Sequence, residues 1–206
     1  MSLLKHLAGL KMDVLKEVGN IGAGNAATAF SRLIDKPVDM KVPTVSILPF
    51  EEIAERVGGS EQVVVAVFLR VEGEAPGNMF FIIQADSAKK LLQQLLSLEP
   101  SESLEYSEME LSTLSEIGNI LAGSYLSSLA DFTRLPMAPT VPSIAVDMAG
   151  AILSYGLLQF GQMGDDALLI DTSFFEGKEL MEGQFFLIPD PESFEKIFSA
   201  LGVPSE

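Results

Sequence analysis

The chain has 206 residues, a net charge of −16 from 29 acidic and 13 basic side chains, and a 48% hydrophobic composition. It is long enough to bury a real core as one large domain or two small ones, and its acidic field repels phosphate backbones and anionic lipid heads, so neither nucleic acid nor a membrane surface is expected as a partner. It contains no cysteine, which excludes disulfides, thiolate catalysis and Cys-ligated metals.

The first residues, MSLLKHLAGLKMDVL, hold too short an apolar block for a secretory signal, and charges interrupt it. No apolar run approaches the roughly 18 residues that span a bilayer. A cytoplasmic protein without membrane insertion is expected. The single histidine, His6, lies near what reads as a loose start of the chain. It can build neither a metal cluster nor a Ser-His-Asp triad, and the remaining carboxylates are scattered, so no metal site is expected.

The first element is a helix containing LKEVGNIGAGNAATAF, with Gly19, Gly22 and Gly24 within six positions. Each glycine inside a helix costs roughly 1 kcal/mol relative to alanine. At 100° per residue, Asp13, Glu17, Asn20 and Gly24 form one outward stripe. Leu15, Val18, Gly22, Ala26, Ala29 and Leu33 form the opposite, core-facing one. Gly22 therefore reads as a packing glycine, whereas Gly24 lies beside the polar pair.

A strand led by Pro43 follows, then a short helix in PFEEIAERVGG. The β-rich runs QVVVAVFLRV (62–71) and NMFFIIQ (78–84) flank EGEAPG, a hairpin-like spacing. The helix ADSAKKLLQQLLS closes the half, with Asp86 expected as its N-cap.

Beyond SLEPSESLEYSE the pattern returns. Shifting by 99 residues pairs DVLKEVGNIGAG (13–24) with STLSEIGNILAG (112–123), identical at seven of twelve positions. The same offset pairs Val42-Pro43 with Val141-Pro142. At an offset of 106, Gly77–Ile83 matches the run from Gly183, and Asp190-Pro191 reads as cap and first turn of a closing helix. An internally duplicated α+β fold is predicted. Two long motif-bearing helices and several shorter ones pack on a shared, mainly antiparallel sheet with pseudo-twofold symmetry. One domain, 1–206, has halves of about 1–100 and 101–206.

A Glu and an Asn on one wet helix face mean little alone. Here Glu17 and Asn20 recur in register as Glu116 and Asn119, while neighbouring Lys16 becomes Ser115. Asparagine is also a poor helix former. Two polar stripes that keep Glu and Asn beside a bare glycine, Gly24 or Gly123, are suited to close approach by another molecule.

These residues resemble the pattern of the CheC, CheX and FliY family of chemotaxis phosphatases. That pattern is Asp or Ser, three residues, Glu, two residues, Asn, then twenty-two residues and Pro. Asp13, Glu17, Asn20 and Pro43 fit it, and Ser112, Glu116, Asn119 and Pro142 fit it again. Two complete motifs resemble the CheC type in particular. FliY-type members carry a flagellar-switch domain in addition, and none is expected here.

The resemblance implies hydrolysis of the aspartyl phosphate on the response regulator CheY. Asn20 and Asn119 would position the attacking water, because a carboxamide offers a donor and an acceptor without titrating. Glu17 and Glu116 would pair with the lysine that lines receiver sites. Asp13 and Ser112 would support the helix start or the docking surface, and Pro43 and Pro142 the turn into the following strand. No cofactor of its own is implied, and Mg²⁺ would sit on the receiver. The receptor deamidase CheD is a second implied partner, with Asp147 in VDMAGAI at the corresponding surface. The first half has PFEEIAERVGG in that place, so the halves diverge there. The alternative to an enzyme is a non-catalytic adaptor that binds and regulates CheD.

Overall fold

The computed structural model describes residues 2–42, 44–96, 105–160, 166–176 and 179–202. In the first half α1 (Ser2–Ile34) is followed by β1 (Asp39–Lys41), β2 (Val45–Pro49), a 3-10 turn (Phe50–Glu52) and α2 (Ile53–Arg56). The hairpin β3 (Val63–Gly73) and β4 (Gly77–Gln84) then leads into α3 (Ala85–Leu96). The second half repeats the order with α4 (Glu108–Thr133), β5 (Met137–Pro139), β6 (Ser143–Met148), α5 (Ala149–Phe160), β7 (Asp166–Glu176), β8 (Glu179–Pro189) and α6 (Pro191–Ala200). His6, expected near a loose start, falls within α1.

Among the described residues the eight strands join one antiparallel sheet in the order β1-β7-β8-β4-β3-β5, with β2 also on β7 and β6 also on β3. The lead strands of each half therefore pair with the hairpin of the other. At the centre β4 pairs with β8, and Phe80 faces Phe186. These two occupy the same place in the two copies, at the offset of 106, so the pseudo-twofold axis passes between them. Pairing the halves here leaves the hairpin strands with neighbours on both sides and only the short lead strands at the edges.

The continuous apolar run of β3 is a strand covered on both faces. Val65, Val67, Leu69 and Val71 join Met79, Phe81, Leu168, Ile170 and Phe185 in a core beneath α1 and α4. Val64, Ala66 and Phe68 join Phe80, Ile82, Leu169 and Phe186 in a second core on the opposite face. There Ile53 and Val57 around α2, and Ala149, Ile152 and Leu153 of α5, provide the cover. Full burial of each such side chain stabilises by about 1.5–3 kcal/mol. The β3–β4 turn depends on Gly73, at φ +116°, because a Cβ there would lie 2.2 Å from Pro136 O.

Three local expectations shift. The buried stripe of α1 runs through Leu15, Val18, Ala23, Ala26 and Phe30. Leu33, in the last turn of the helix, is 51% exposed, and Ala29 is only half-buried. Asp86 is in the first turn of α3 rather than at its cap, since β4 runs into the helix without a break; its charge still opposes the positive end of the helix dipole. Asp190 does occupy the N-cap of α6, with Pro191 behind it, but makes no side-chain cap. Its carboxylate is instead gripped by both Nη atoms of Arg70, Nη1 to Oδ1 at 2.7 Å.

The start of α4 is fixed by a capping box. Glu110 N–H donates to Ser107 Oγ and Ser107 N–H to Glu110 Oε2, 2.7 Å. Lys89 of α3, almost fully buried, donates to Glu110 Oε1 at 3.0 Å and to Glu105 O at 2.6 Å. The Ser107 N–H, aided by Lys89 and the Ser107 hydroxyl against the effect of burial, holds the Glu110 carboxyl below its ordinary value. A lowered folded-state value stabilises the fold above the usual carboxylate range and loses that contribution as pH falls through it. Glu110→Ala is expected to cost about 1–3 kcal/mol at neutral pH, since it opens the capping box and takes the carboxylate from the nearly buried Lys89. Thermal melts should show the gap to the unsubstituted protein narrowing below about pH 4.

Candidate active site

The two motif helices lie side by side on the sheet, and glycines let them sit low. A Cβ on Gly118 would lie 2.5 Å from Val67 Cγ1, so α4 rests directly on β3. Gly19, the equivalent in α1, faces Val42 and Ile170 at 3.4 and 3.7 Å. Gly22 faces Tyr125 of α4 so closely that a Cβ would lie 2.5 Å from the ring. The Tyr125 hydroxyl hydrogen-bonds with Thr172 Oγ1 on β7 at 3.0 Å, and its ring packs on Phe185 with centroids 4.8 Å apart. Burial pushes the phenol up to about 12, so it stays neutral and ties α4 to the β7–β8 hairpin of its own half. Sequence alone marked Gly22 as a packing glycine. Nothing marked Tyr125 as its partner, because that contact joins helices about a hundred residues apart.

On the outer side of this platform Asp13, Glu17 and Asn20 are exposed, as are Ser112 and Glu116, while Asn119 is half-buried. Gly24 and Gly123 follow one turn later, and a Cβ at either would meet nothing within 4 Å. Each helix thus presents a carboxylate, a carboxamide and a patch of bare backbone in one line. Sinking Gly19 and Gly118 onto the sheet fixes the rotation of each helix and with it the direction of the stripe. These stripes are open helix surface, with Asp13, Glu17, Asn20, Ser112 and Glu116 exposed. Their carboxamides can each accept and donate a hydrogen bond toward a molecule laid across the helices.

Pro142 is half-buried immediately before β6, where a turn into the strand was expected, and Pro43 lies outside the described residues. Asp147 is exposed near the end of β6 and its Oδ1 accepts from Met148 N–H at 2.7 Å. It therefore also braces the strand-to-helix turn. Beyond it α5 buries Ala149, Ile152 and Leu153 in the second core and leaves Tyr155 56% exposed. This segment lies across the sheet from the motif helices. Among the described residues no three His, Cys, Asp or Glu side chains come together where they could hold a metal, and no helix is long and apolar enough to cross a membrane.

The chain is similar to known proteins along nearly its whole length. The model of the CheC-like family matches residues 10–47 and 109–146, the two motif regions. A Bacillus subtilis (strain 168) protein named CheY-P phosphatase CheC is 42% identical over 207 residues, covering 98% of this chain and 99% of that protein. The flagellar motor switch phosphatase FliY of the same strain is 29% identical over 170 residues, 82% of this chain and 43% of its own length. Among solved structures, Thermotoga maritima FliY shares the fold with a TM-score of 0.72 at 19% identity, covering 93% of this chain and 96% of that one. With a full-length relative at this identity and both motif regions matched, the chain belongs to the CheC-like family.

Proposed function

We propose that this protein removes the phosphoryl group from CheY-P, with Asn20 and Asn119 each holding the attacking water. The observation that carries the reading is the repeated stripe: Glu17 with an exposed Asn20, and Glu116 with Asn119, each followed by a glycine that faces open space. The 42% identical relative named CheY-P phosphatase CheC supports the choice of substrate.

An acyl phosphate already carries a good leaving group, so positioning accounts for most of the task. The carboxamide oxygen accepts a hydrogen bond from the water while the amide N–H donates toward it or the phosphoryl group. Water oxygen bonds to phosphorus, the bond from phosphorus to the aspartyl oxygen breaks, and inorganic phosphate leaves with the carboxylate regenerated. Glu17 and Glu116 pair with the receiver's lysine and set the register. Asp13 and Ser112, at the N-terminal end of each stripe, extend the docking surface, and bare backbone at Gly24 and Gly123 lets the receiver approach. Any Mg²⁺ belongs to the receiver. Phosphate release from phosphorylated CheY should accelerate on adding this protein; an unchanged rate at equimolar protein would overturn the reading.

A second role, binding the deamidase CheD, is favoured by one asymmetry. Helix α5 has twelve residues where its counterpart α2 has four, and Asp147 stands exposed at its approach. Asp147→Lys is expected to abolish CheD binding in a pull-down with purified partner while leaving CheY-P hydrolysis unchanged. Because Asp147 also accepts from Met148, a melting curve accompanies the measurement. Loss of hydrolysis along with binding, at unchanged stability, would contradict two separate surfaces.

A further inference from the structure

The duplication offers an internal comparison on the face of the sheet away from the motif helices. In the first copy Arg70 pairs with Asn78 across the β3–β4 hairpin, and in the second Asp171 pairs with Gln184 across β7–β8. Asn78 and Gln184 are equivalent at the offset of 106, as are Gln84 and Asp190, so Arg70 and Asp171 hold equivalent places. The first copy is filled: the Arg70 guanidinium is held by the Asp190 carboxylate and by Asn78 Oδ1 at 3.4 Å. The second copy is an open polar pocket of about 420 Å³, in which Arg56, Gln84, Asp171, Ser173, Glu182 and Gln184 take part.

Its lining is rich in acceptors. Ser173 is 5% exposed, and its hydroxyl has no hydrogen-bond partner among the described residues. Gln84 donates its amide to Val57 O at 3.3 Å, which leaves its carbonyl oxygen for a guest. Glu182 is exposed and makes no ion pair among the described residues. Among the described residues that line it, the cation is Arg56, whose side chain is 49% exposed and donates to Asp171 Oδ2 at 2.6 Å. A hydroxyl that opens into the pocket can accept a guest's N–H without giving up an internal hydrogen bond.

We propose that this pocket binds a guanidinium, delivered by an arginine side chain of a partner polypeptide. The first copy supplies the template, since a carboxylate and a carboxamide oxygen already hold a guanidinium there. The planar fork of five N–H donors suits the larger acceptor set of the second copy. Delivery by a polypeptide follows from what adjoins the pocket. Past Arg56 lies a groove of about 690 Å³ with Ile47, Leu48 and Leu169 on its floor and Glu52 and Glu55 at its rim. An aliphatic side chain next to the arginine rests on that floor. The net charge of −16 draws a basic segment toward it.

Calorimetric titration of the full chain tests this with three probes: the blocked peptide Ala-Leu-Arg-Ala, its lysine counterpart and agmatine. The arginine peptide is expected to bind about tenfold or more tighter than the lysine peptide, because a point charge cannot use the fork of acceptors. Glu182→Gln, on the surface, and Ser173→Ala are each expected to weaken it several-fold with CheY-P hydrolysis unchanged. Equal binding of the two peptides, indifference to both substitutions, or no binding at millimolar peptide would overturn the proposal. Agmatine binding as tightly as the arginine peptide would make the pocket a small-molecule site and overturn delivery by a polypeptide.

Discussion

Replacing Asn20 and Asn119 together by alanine is expected to bring CheY-P hydrolysis to its spontaneous rate, a loss of about 10²-fold or more if each amide supplies what one preorganised donor commonly does. Asn20 is exposed and Asn119 half-buried, so the fold should change little, and least at Asn20. Exposed helix positions change stability by about 0.5 kcal/mol at most, and alanine is the better helix former. Unaltered melting with abolished turnover therefore separates chemistry from folding. Each single variant should keep the turnover of the untouched helix, so the single rates sum to the parent rate when the sites act independently. Phosphate release from phosphorylated CheY, followed for both singles and the double, measures this directly. A double variant that keeps parent activity would remove both amides from the mechanism.

Glu17 and Glu116 should behave differently. Their assigned work is to hold the receiver, so Glu17→Gln is expected to weaken docking more than turnover, which appears as a rise in KM. The stripe geometry places both carboxylates one turn before their amides, near enough to act on the same bound receiver.

The stripe itself was legible because helix periodicity is local: fixing one face fixes the other, and the second copy repeats it. The hairpins were legible for the same reason, since β3 and β4 are adjacent in sequence and flank turn residues. Exchange of lead strands was not legible, because the pairing of β2 with β7 and of β6 with β3 is decided by the pseudo-twofold at Phe80 and Phe186. That axis emerges only when the two hairpins meet. The Asp190 cap illustrates a related limit. Its position follows from the chain, but its carboxylate turns to Arg70, 120 positions away, because a bidentate ion pair outweighs one N–H contact. Leu33 misled for a simpler reason. Periodicity assigns a face to every residue of a helix, whereas Leu33, in the last turn of α1, is 51% exposed.

The glycines separate into two groups with opposite expected effects. Gly118→Ala places a methyl 2.5 Å from Val67 Cγ1 and 2.6 Å from its Cβ, atoms close to the β3 backbone that cannot swing aside, so a loss of about 1–3 kcal/mol is expected. For a chain of this length that lowers Tm by about 2–4 °C per kcal/mol. Val67→Ala should recover part of it, and a double-mutant cycle reads the coupling. Gly24→Ala and Gly123→Ala meet no neighbour and should instead raise stability by about 0.5–1 kcal/mol each through helix propensity. If those glycines exist to admit the receiver, the same two substitutions make a more stable and slower phosphatase, with the loss growing when both are made. A stabilised double variant that hydrolyses CheY-P at the parent rate would mean that the receiver never comes near Gly24 or Gly123, and a docking path across the two stripes would have to be abandoned.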